Sequence, residues 1–324
     1  MWGTAIASHL TDTNHFNSRR GGVHLINNQK VLLKPTAMKS ILYATDYSMA
    51  SVSALRYANS MSHMLNMRLV LTHVYDLPTV LGTQLQAPFP DLRKDTTDHE
   101  HKKLSEFYEE YIGENALRPQ EVVFEPVENM SVLSGIISKS TDWHASMIVV
   151  GMKGESAIKD LVMGSTAKKL IDKAPCPVLT VPADHRFEQL TDLVYATDFE
   201  VEDLKALEKL VVLAKAWNAH IRVVHVTMDK EYAGASQMEW FREMVSQKVD
   251  YDRIHFEVVK SDNIIHSLRD YSVSQHAGMI AMLERIQKGA AKKLFHRDLV
   301  KQMASNSRLP LLSFNERNLQ TLFF

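Results

Sequence analysis

The chain has almost no cysteine. Cys176 stands alone among 324 residues, which excludes an intramolecular disulfide framework and fits a reducing, cytoplasmic compartment. Its setting, Ala174-Pro-Cys-Pro-Val-Leu-Thr-Val181, reads as a buried thiol before an apolar strand rather than a nucleophile. A charge excess is missing too. With 37 Lys and Arg against 38 Asp and Glu, the net charge is −1, without the basic surplus of a nucleic-acid binder. No apolar run approaches the roughly 20 residues that cross a bilayer, and no secretory core is present, so no membrane partner is expected. The fifteen histidines are scattered and have one cysteine to join, which argues against a metal cluster.

Several catalytic signatures are also absent. There is no Walker A lysine loop. No Ser-Gly-Gly-x-Asp-Ser loop or His-x-Gly-His pair of an adenylating enzyme follows the first strand. The run His296-Arg-Asp-Leu299 imitates a kinase catalytic loop, but Met303 occupies the place of the required Asn. Neither an Asp-Phe-Gly motif nor a glycine-rich loop with a strand lysine accompanies it.

Residues 1–37 are polar, rich in Asn, His and Thr, and without a sustained period. Asp12 and the lack of an amphipathic pattern oppose a transit peptide despite Arg19 and Arg20. The folded protein is expected to begin at Met38, with Met38 as the initiator.

From there the chain repeats itself. Ile41-Leu-Tyr-Ala-Thr-Asp-Tyr47 returns as Leu193-Val-Tyr-Ala-Thr-Asp-Phe199, and His73-Val74 returns as His225-Val226, both 152 residues later. His144-Ala-Ser-Met-Ile148 matches His276-Ala-Gly-Met-Ile280 at an offset of 132, and Pro177-Val-Leu-Thr-Val181 matches Pro310-Leu-Leu-Ser-Phe314. Two copies in one order indicate tandem duplication, the second shortened in its middle. Each copy alternates short apolar runs with helical segments, the pattern of a parallel sheet with crossover helices. The first reads strand 39–45, helix 48–65, strand 68–75, helix 96–113, strand 121–126, helix 130–142, strand 146–151, helix 165–173 and strand 177–182. The second reads strand 191–196, helix 201–217, strand 220–227, helix 230–248, strand 254–259, helix 263–274, strand 278–283, helix 288–304 and strand 309–314. Ser48 and Asn129 or Ser131 stand where helix caps belong. The domain reading is 1–37 as an irregular extension, 38–183 and 191–324 as domains, and 184–190 as linker.

Glycine is scarce, yet three of the twelve fall in one stretch: Gly151 and Gly154, then Gly164 before Ser165. An apolar strand (Met147–Val150) leads in, and a helix that Ser165 is placed to cap leads out. Strand, glycine loop and helix N-terminus together make an anion site, because glycine admits a phosphate and the helix dipole favours its charge. In open sheets of this kind ligands bind beyond the strand carboxyl ends, where strand order reverses. Asp46, Val74 and the loop 151–165 therefore face one crevice. Asp46 has two readings, a ligand contact in the crevice or a cap for helix 48–65, and both stand. His73 and His225 read as satisfied core histidines, and Lys153 as solvated.

The Ala-Thr-Asp46 strand end followed by Ser48, the His73-Val74 strand end, the Gly-xx-Gly-x9-Gly-Ser loop and the closing Pro-Cys-Pro-Val strand resemble the universal stress protein family, and its tandem-domain members in particular. The resemblance covers 39–182 with every motif and 191–315 with some missing. It implies two tandem, doubly wound, Rossmann-like α/β domains of the adenine nucleotide alpha-hydrolase type. Each would have five strands, and the two would pair through strands 177–182 and 310–314 as an internal pseudo-dimer, with further homodimerisation left open. It implies ATP as ligand, with Mg²⁺ or Mn²⁺ held through the phosphates. Carried over by position, Ala44 and Asp46 would line the adenosine pocket, and the Val74 backbone would read the adenine edge. Val150 and Gly151 would flank ribose and phosphates, and Gly154, Gly164, Ser165 and Thr166 would hold the phosphate chain.

The second copy departs from this pattern. Leu283-Glu-Arg-Ile286 stands opposite Gly151-Met-Lys-Gly154, and His296 or Arg297, followed by Asp298, stands opposite Gly164-Ser165. Bulk at Leu283 and Ile286 and charge at Glu284 and Asp298 are expected to bar phosphates, leaving one ATP per chain, in the first half. Two function classes follow. One is an ATP-binding stress-response protein whose nucleotide is structural or regulatory, with at most slow hydrolysis or autophosphorylation. The other is a nucleotide-independent module presenting paired domains to a client protein.

Overall fold

The computed structural model describes residues 39–76, 90–152, 163–227, 234–285 and 299–319. Expectations for residues 1–37, for Lys153 and Gly154, and for Ile286 and 296–298 lie outside them. In chain order the elements are β1 (Ser40–Ala44), α1 (Met49–Met64), β2 (Arg68–Tyr75), α2 (Pro90–Ile112), β3 (Val122–Glu128), α3 (Val132–Asp142), β4 (Ala145–Met152), α4 (Ser165–Lys173) and β5 (Val178–Pro182). They continue as β6 (Asp192–Ala196), α5 (Val201–Trp217), β7 (His220–Thr227), α6 (Gly234–Lys248), β8 (Ile254–Lys260), α7 (Ile264–Ser274), β9 (Met279–Glu284), α8 (Leu299–Asn306) and β10 (Leu311–Asn315). The expected strands and helices are present, mostly within one to three residues at each end. The charged helix of the first half begins six residues earlier than periodicity placed it, at Pro90, a residue well suited to a first helical turn.

The strands form one sheet in the order β3-β2-β1-β4-β5-β10-β9-β6-β7-β8. Every pairing is parallel except β5 with β10. Strand order reverses at β1/β4 and again at β6/β9. The centre of the sheet is covered on both faces, so β1, β5 and β10 are buried along their whole length and read as continuous rather than alternating apolar runs. The edge strands β3 and β8 are mostly half-buried and carry the charged residues Glu125 and Glu257.

Two apolar layers flank the sheet, and each runs through both halves. Tyr57 of α1, Tyr108 of α2, Leu207 of α5 and Phe241 of α6 belong to one. Ile136 of α3, Leu170 of α4, Leu268 of α7 and Met303 of α8 belong to the other, together with the buried Cys176. Burial pushes the Cys176 thiol well above its ordinary pKa, so it stays protonated and inert.

The β5/β10 junction aligns Leu311 with Thr180, Leu312 with Leu179 and Ser313 with Val178. Thr180 Oγ1 donates to Leu311 O and Ser313 Oγ to Val178 O, at 3.3 and 3.0 Å. Asn315, at the end of β10, donates through Nδ2 to Ile171 O and Ala174 O, both at 3.1 Å, and so satisfies terminal carbonyls of α4. Residues 38–324 accordingly cluster as one compact unit.

Candidate functional site

The first crevice opens where β1 and β4 end side by side. Ala44 and Val150 are register partners there, and both are nearly buried. β1 stops three residues short of β2, since Ala44 aligns with Thr72 and β2 runs on to Tyr75; Thr45 N still donates to Thr72 O, and the chain then turns away. Alternate residues of β2 bond to β3, as Tyr75 O does by accepting from Asn129 N, so Val74 directs its main-chain pair toward the side that β1 has vacated. The Val74 side chain points the other way, into the layer under α3. A Cβ on Gly135 would stand 2.9 Å from its methyls. Ala44, Val74 and Val150 are thus brought together at one end of the sheet.

The turn after β1 is shaped by its own side chains. Tyr47 adopts φ 61°, a left-handed conformation that a tyrosine holds only under outside constraint. Its amide donates to Thr45 Oγ1 at 2.9 Å, and its ring packs on His73 at 4.4 Å between centroids. His73 Nδ1 in turn lies 2.8 Å from Thr45 O. The second half repeats this with Phe199 at φ 59°, His225 Nδ1 at 2.8 Å from Thr197 O, and a ring distance of 4.6 Å. Both histidines are satisfied by a carbonyl of the neighbouring strand end, and both are half-buried rather than placed in the core.

Asp46 is exposed at the mouth, and its Oδ1 accepts from the Ser48 amide at 3.0 Å and from the Ser48 hydroxyl. It therefore braces the turn. Ser48 is the N-cap of α1 by position only, because its hydroxyl donates to Asp46 instead of accepting from the helix. That corrects the expected cap. Ser131 does cap α3, accepting from Ser134 N, and Asn129 Oδ1 accepts from the Ser131 amide.

A second correction concerns α4. Gly164 is its N-cap and Ser165 its first helical residue, with no side-chain cap on the helix. The first turn consequently offers main-chain amides that no capping side chain takes. Ser165 is exposed and Thr166 half-buried on that turn. Among the described residues, a Cβ built on Gly164 meets nothing within 4 Å.

Gly151 has a packing role that its place in the motif did not announce. A Cβ there would come within 2.5 Å of Ala50 O and 2.8 Å of Ser51 Cα. Gly151 lets α1 settle directly against β4. At the matching place β9 carries Leu283, buried in the layer under α5, and α5 packs far less closely on β9 than α1 does on β4.

Arg285, next to Leu283 and Glu284, was not singled out from sequence. Its guanidinium lies across the β6/β9 mouth, with Nη1 2.7 Å from Glu200 Oε2, Nη2 2.8 Å from Asp203 Oδ2 and Nε 3.9 Å from Asp198 Oδ2. Glu284 is not a free charge facing a ligand, since Lys301 Nζ stands 3.7 Å from it. Among the described residues no group of three or more His, Cys, Asp or Glu could hold a metal ion, and no helix is long and apolar enough to cross a membrane.

Comparison with known proteins agrees with this architecture. The sequence model of the universal stress protein family matches residues 38–182. A universal stress protein of Thermus aquaticus is 28% identical over 155 residues, spanning 44% of this chain and 98% of that one. One from Methanocaldococcus jannaschii is 26% identical over 152 residues, spanning 44% and 94%. The crystal structure of a universal stress protein from Archaeoglobus fulgidus superimposes over 86% of this chain and 98% of its own, with TM-score 0.62 at 16% identity, which speaks for the fold alone. Single-domain relatives thus account for about half of the chain, while a structure of similar extent accounts for most of it. Residues 38–182 therefore form a universal stress protein domain, in a chain about twice that size.

Proposed function

We propose that this protein is a stress-response protein that holds one adenine nucleotide, ATP, in the crevice of its first half as a structural or regulatory ligand. The observation that carries this reading is the N-terminus of α4, which has no side-chain cap and, among the described residues, nothing within 4 Å of a Cβ built on its N-cap Gly164. Phosphate oxygens are the natural acceptors for such amides. Ser165 and Thr166 add hydroxyl donors on the same turn, and Gly154 completes the motif. The main-chain pair of Val74 faces the vacated strand position, suited to the donor and acceptor on an adenine edge. Ala44 and Val150 supply apolar walls, and the Asp46 carboxylate can accept from a ribose hydroxyl. Mg²⁺ or Mn²⁺ would bind through phosphate oxygens, as such ions prefer, without a dedicated protein cage.

In this reading 38–183 and 191–324 are the two domains, 184–190 links them, and the β5/β10 pairing makes an internal pseudo-dimer. The ligand is not fuel for a rapid reaction. The described titratable groups beside the crevice, Asp46 and His73, are each engaged in holding the turn.

The test is direct. Purified protein is heat-denatured, and the supernatant is read at 260 nm and by chromatography. Adenine nucleotide is expected from the natural chain and none from Gly164→Val. Nucleotide retained by a folded Gly164→Val protein would refute the site.

A further inference from the structure

The two crevices differ at three positions that share one register. Ser48 corresponds to Glu200 and Ser51 to Asp203 at the offset of 152, and Lys153 corresponds to Arg285 at the offset of 132. In the first half Ser51 is modest: its hydroxyl donates to Ser48 O at 2.7 Å and shares a 2.9 Å bond with Thr45 Oγ1. In the second half the same place holds a carboxylate whose side chain is 1% exposed. Asp203 Oδ1 accepts from Tyr195 OH at 2.8 Å. Its Oδ2 accepts from Thr197 Oγ1 at 2.9 Å and from the amides of Asp198 and Glu200 at 3.2 and 3.0 Å. Hydroxyls and amides satisfy the lone pairs of a buried carboxylate, but a cation must balance its charge. Arg285 is that cation. One fork nitrogen reaches Asp203 and the other reaches Glu200, so the planar group spans from the end of β9 to the first turn of α5. The remaining half of the exchange is steric. Leu283 stands in place of Gly151, and α5 packs less closely on β9 than α1 does on β4.

We infer that the second crevice is a guanidinium site already filled from within: Arg285 is its resident occupant, and Asp203 and Glu200 are the residues that hold it there. The α5 N-terminus, which would otherwise attract an anion, is supplied with the chain's own carboxylates and sealed by a cation that belongs to the same half. The second crevice therefore stays closed to anionic ligands whatever the first half binds.

The experiment uses the full chain and needs no nucleotide, so its outcome is separate from that of the first-half reading. Arg285→Ala strands Asp203 beside Asp198 and Glu200, and its Tm is expected to fall on the order of 5–10 °C. Hydrogen exchange at the amides of Asp198 and Glu200 should quicken by about tenfold or more. Adding Asp203→Ser, the residue of the first half, should return at least half of the lost Tm. Arg285→Lys should recover less than the natural arginine does, since one ammonium cannot span both carboxylates. The direct probe of occupancy is guanidinium chloride at about 20 mM, far below the molar range that unfolds proteins, against NaCl at the same ionic strength. It should raise the Tm of Arg285→Ala by a few degrees and leave the natural chain unmoved, as expected when a ligand binds a vacated site. Equal responses to the two salts, an unchanged Tm in Arg285→Ala, or strictly additive losses in the double variant would each overturn the inference.

Discussion

The two halves of this protein carry the same strand order and the same histidine-braced turn, yet their mouths are built on opposite principles. The first is held narrow by an absence: Gly151 brings α1 onto β4, and Gly164 leaves the start of α4 bare. The second is held by an excess: Leu283 stands in place of Gly151, and Arg285, Asp203 and Glu200 pair across the mouth. Under the proposed function, two halves of one strand order keep a binding geometry in the first and a self-satisfied one in the second, with few exchanges between them. The closed copy still contributes to the open one, because Asn315 of β10 secures the last turn of α4 from across the junction.

The largest expected effect comes from imposing the second half's solution on the first. Gly151→Leu puts a side chain into the Ala50 carbonyl, and without the compensating shift of the helix it should cost about 3 kcal/mol or more and abolish nucleotide retention. Chemical denaturation compared with the natural chain checks this. A loss below about 1 kcal/mol would mean that α1 moves as freely as α5 has. Asn315→Ala should be the next most damaging, at about 2 kcal/mol, by orphaning two buried carbonyls. Its distinctive signature is faster exchange at the Ala174 amide, in the other half of the chain. Gly164→Val should cost less than about 1 kcal/mol, since its Cβ meets nothing within 4 Å among the described residues and only the N-cap preference is lost, while nucleotide affinity falls more than about tenfold.

The smallest effect concerns the linker. Burial depresses the His185 pKa below its usual value near 6.5, where the ring packs on Tyr57 of α1. The folded state favours the neutral ring. Stability from this group is therefore complete above that ordinary value and is lost as pH falls through the lowered one. The decline of Tm between pH 7.5 and 5.5 should be shallower in His185→Asn, and an unchanged slope would remove the linker from the acid response.

Much of this was legible in the sequence. The 152-residue and 132-residue offsets, the continuous apolar strands and the alternating helices placed the elements, and the run from Met147 to Ser165 marked the end of β4 and the start of α4. What escaped were choices between equivalent partners. Ser48 lies two residues after Asp46, and its hydroxyl goes to that carboxylate rather than to the helix. Ser165 yields the cap position to Gly164, which needs no side chain to occupy it. Gly151 was legible as a glycine that something approaches closely, but whether phosphate or helix makes the approach depends on packing that periodicity does not report. Arg285 was visible as a letter, flanked by the bulk and charge that drew attention. Its meaning required pairing it with the exchange of Ser51 for Asp203, more than 80 residues earlier in the second copy. That paired exchange was the available signal.

The measurement that bears most directly on the whole account is calorimetric titration of the full chain, freed of bound nucleotide, with ATP. The account predicts one site per chain, lost in Gly164→Val and preserved in Arg285→Ala. No binding, two sites, or a single site that survives Gly164→Val would contradict it.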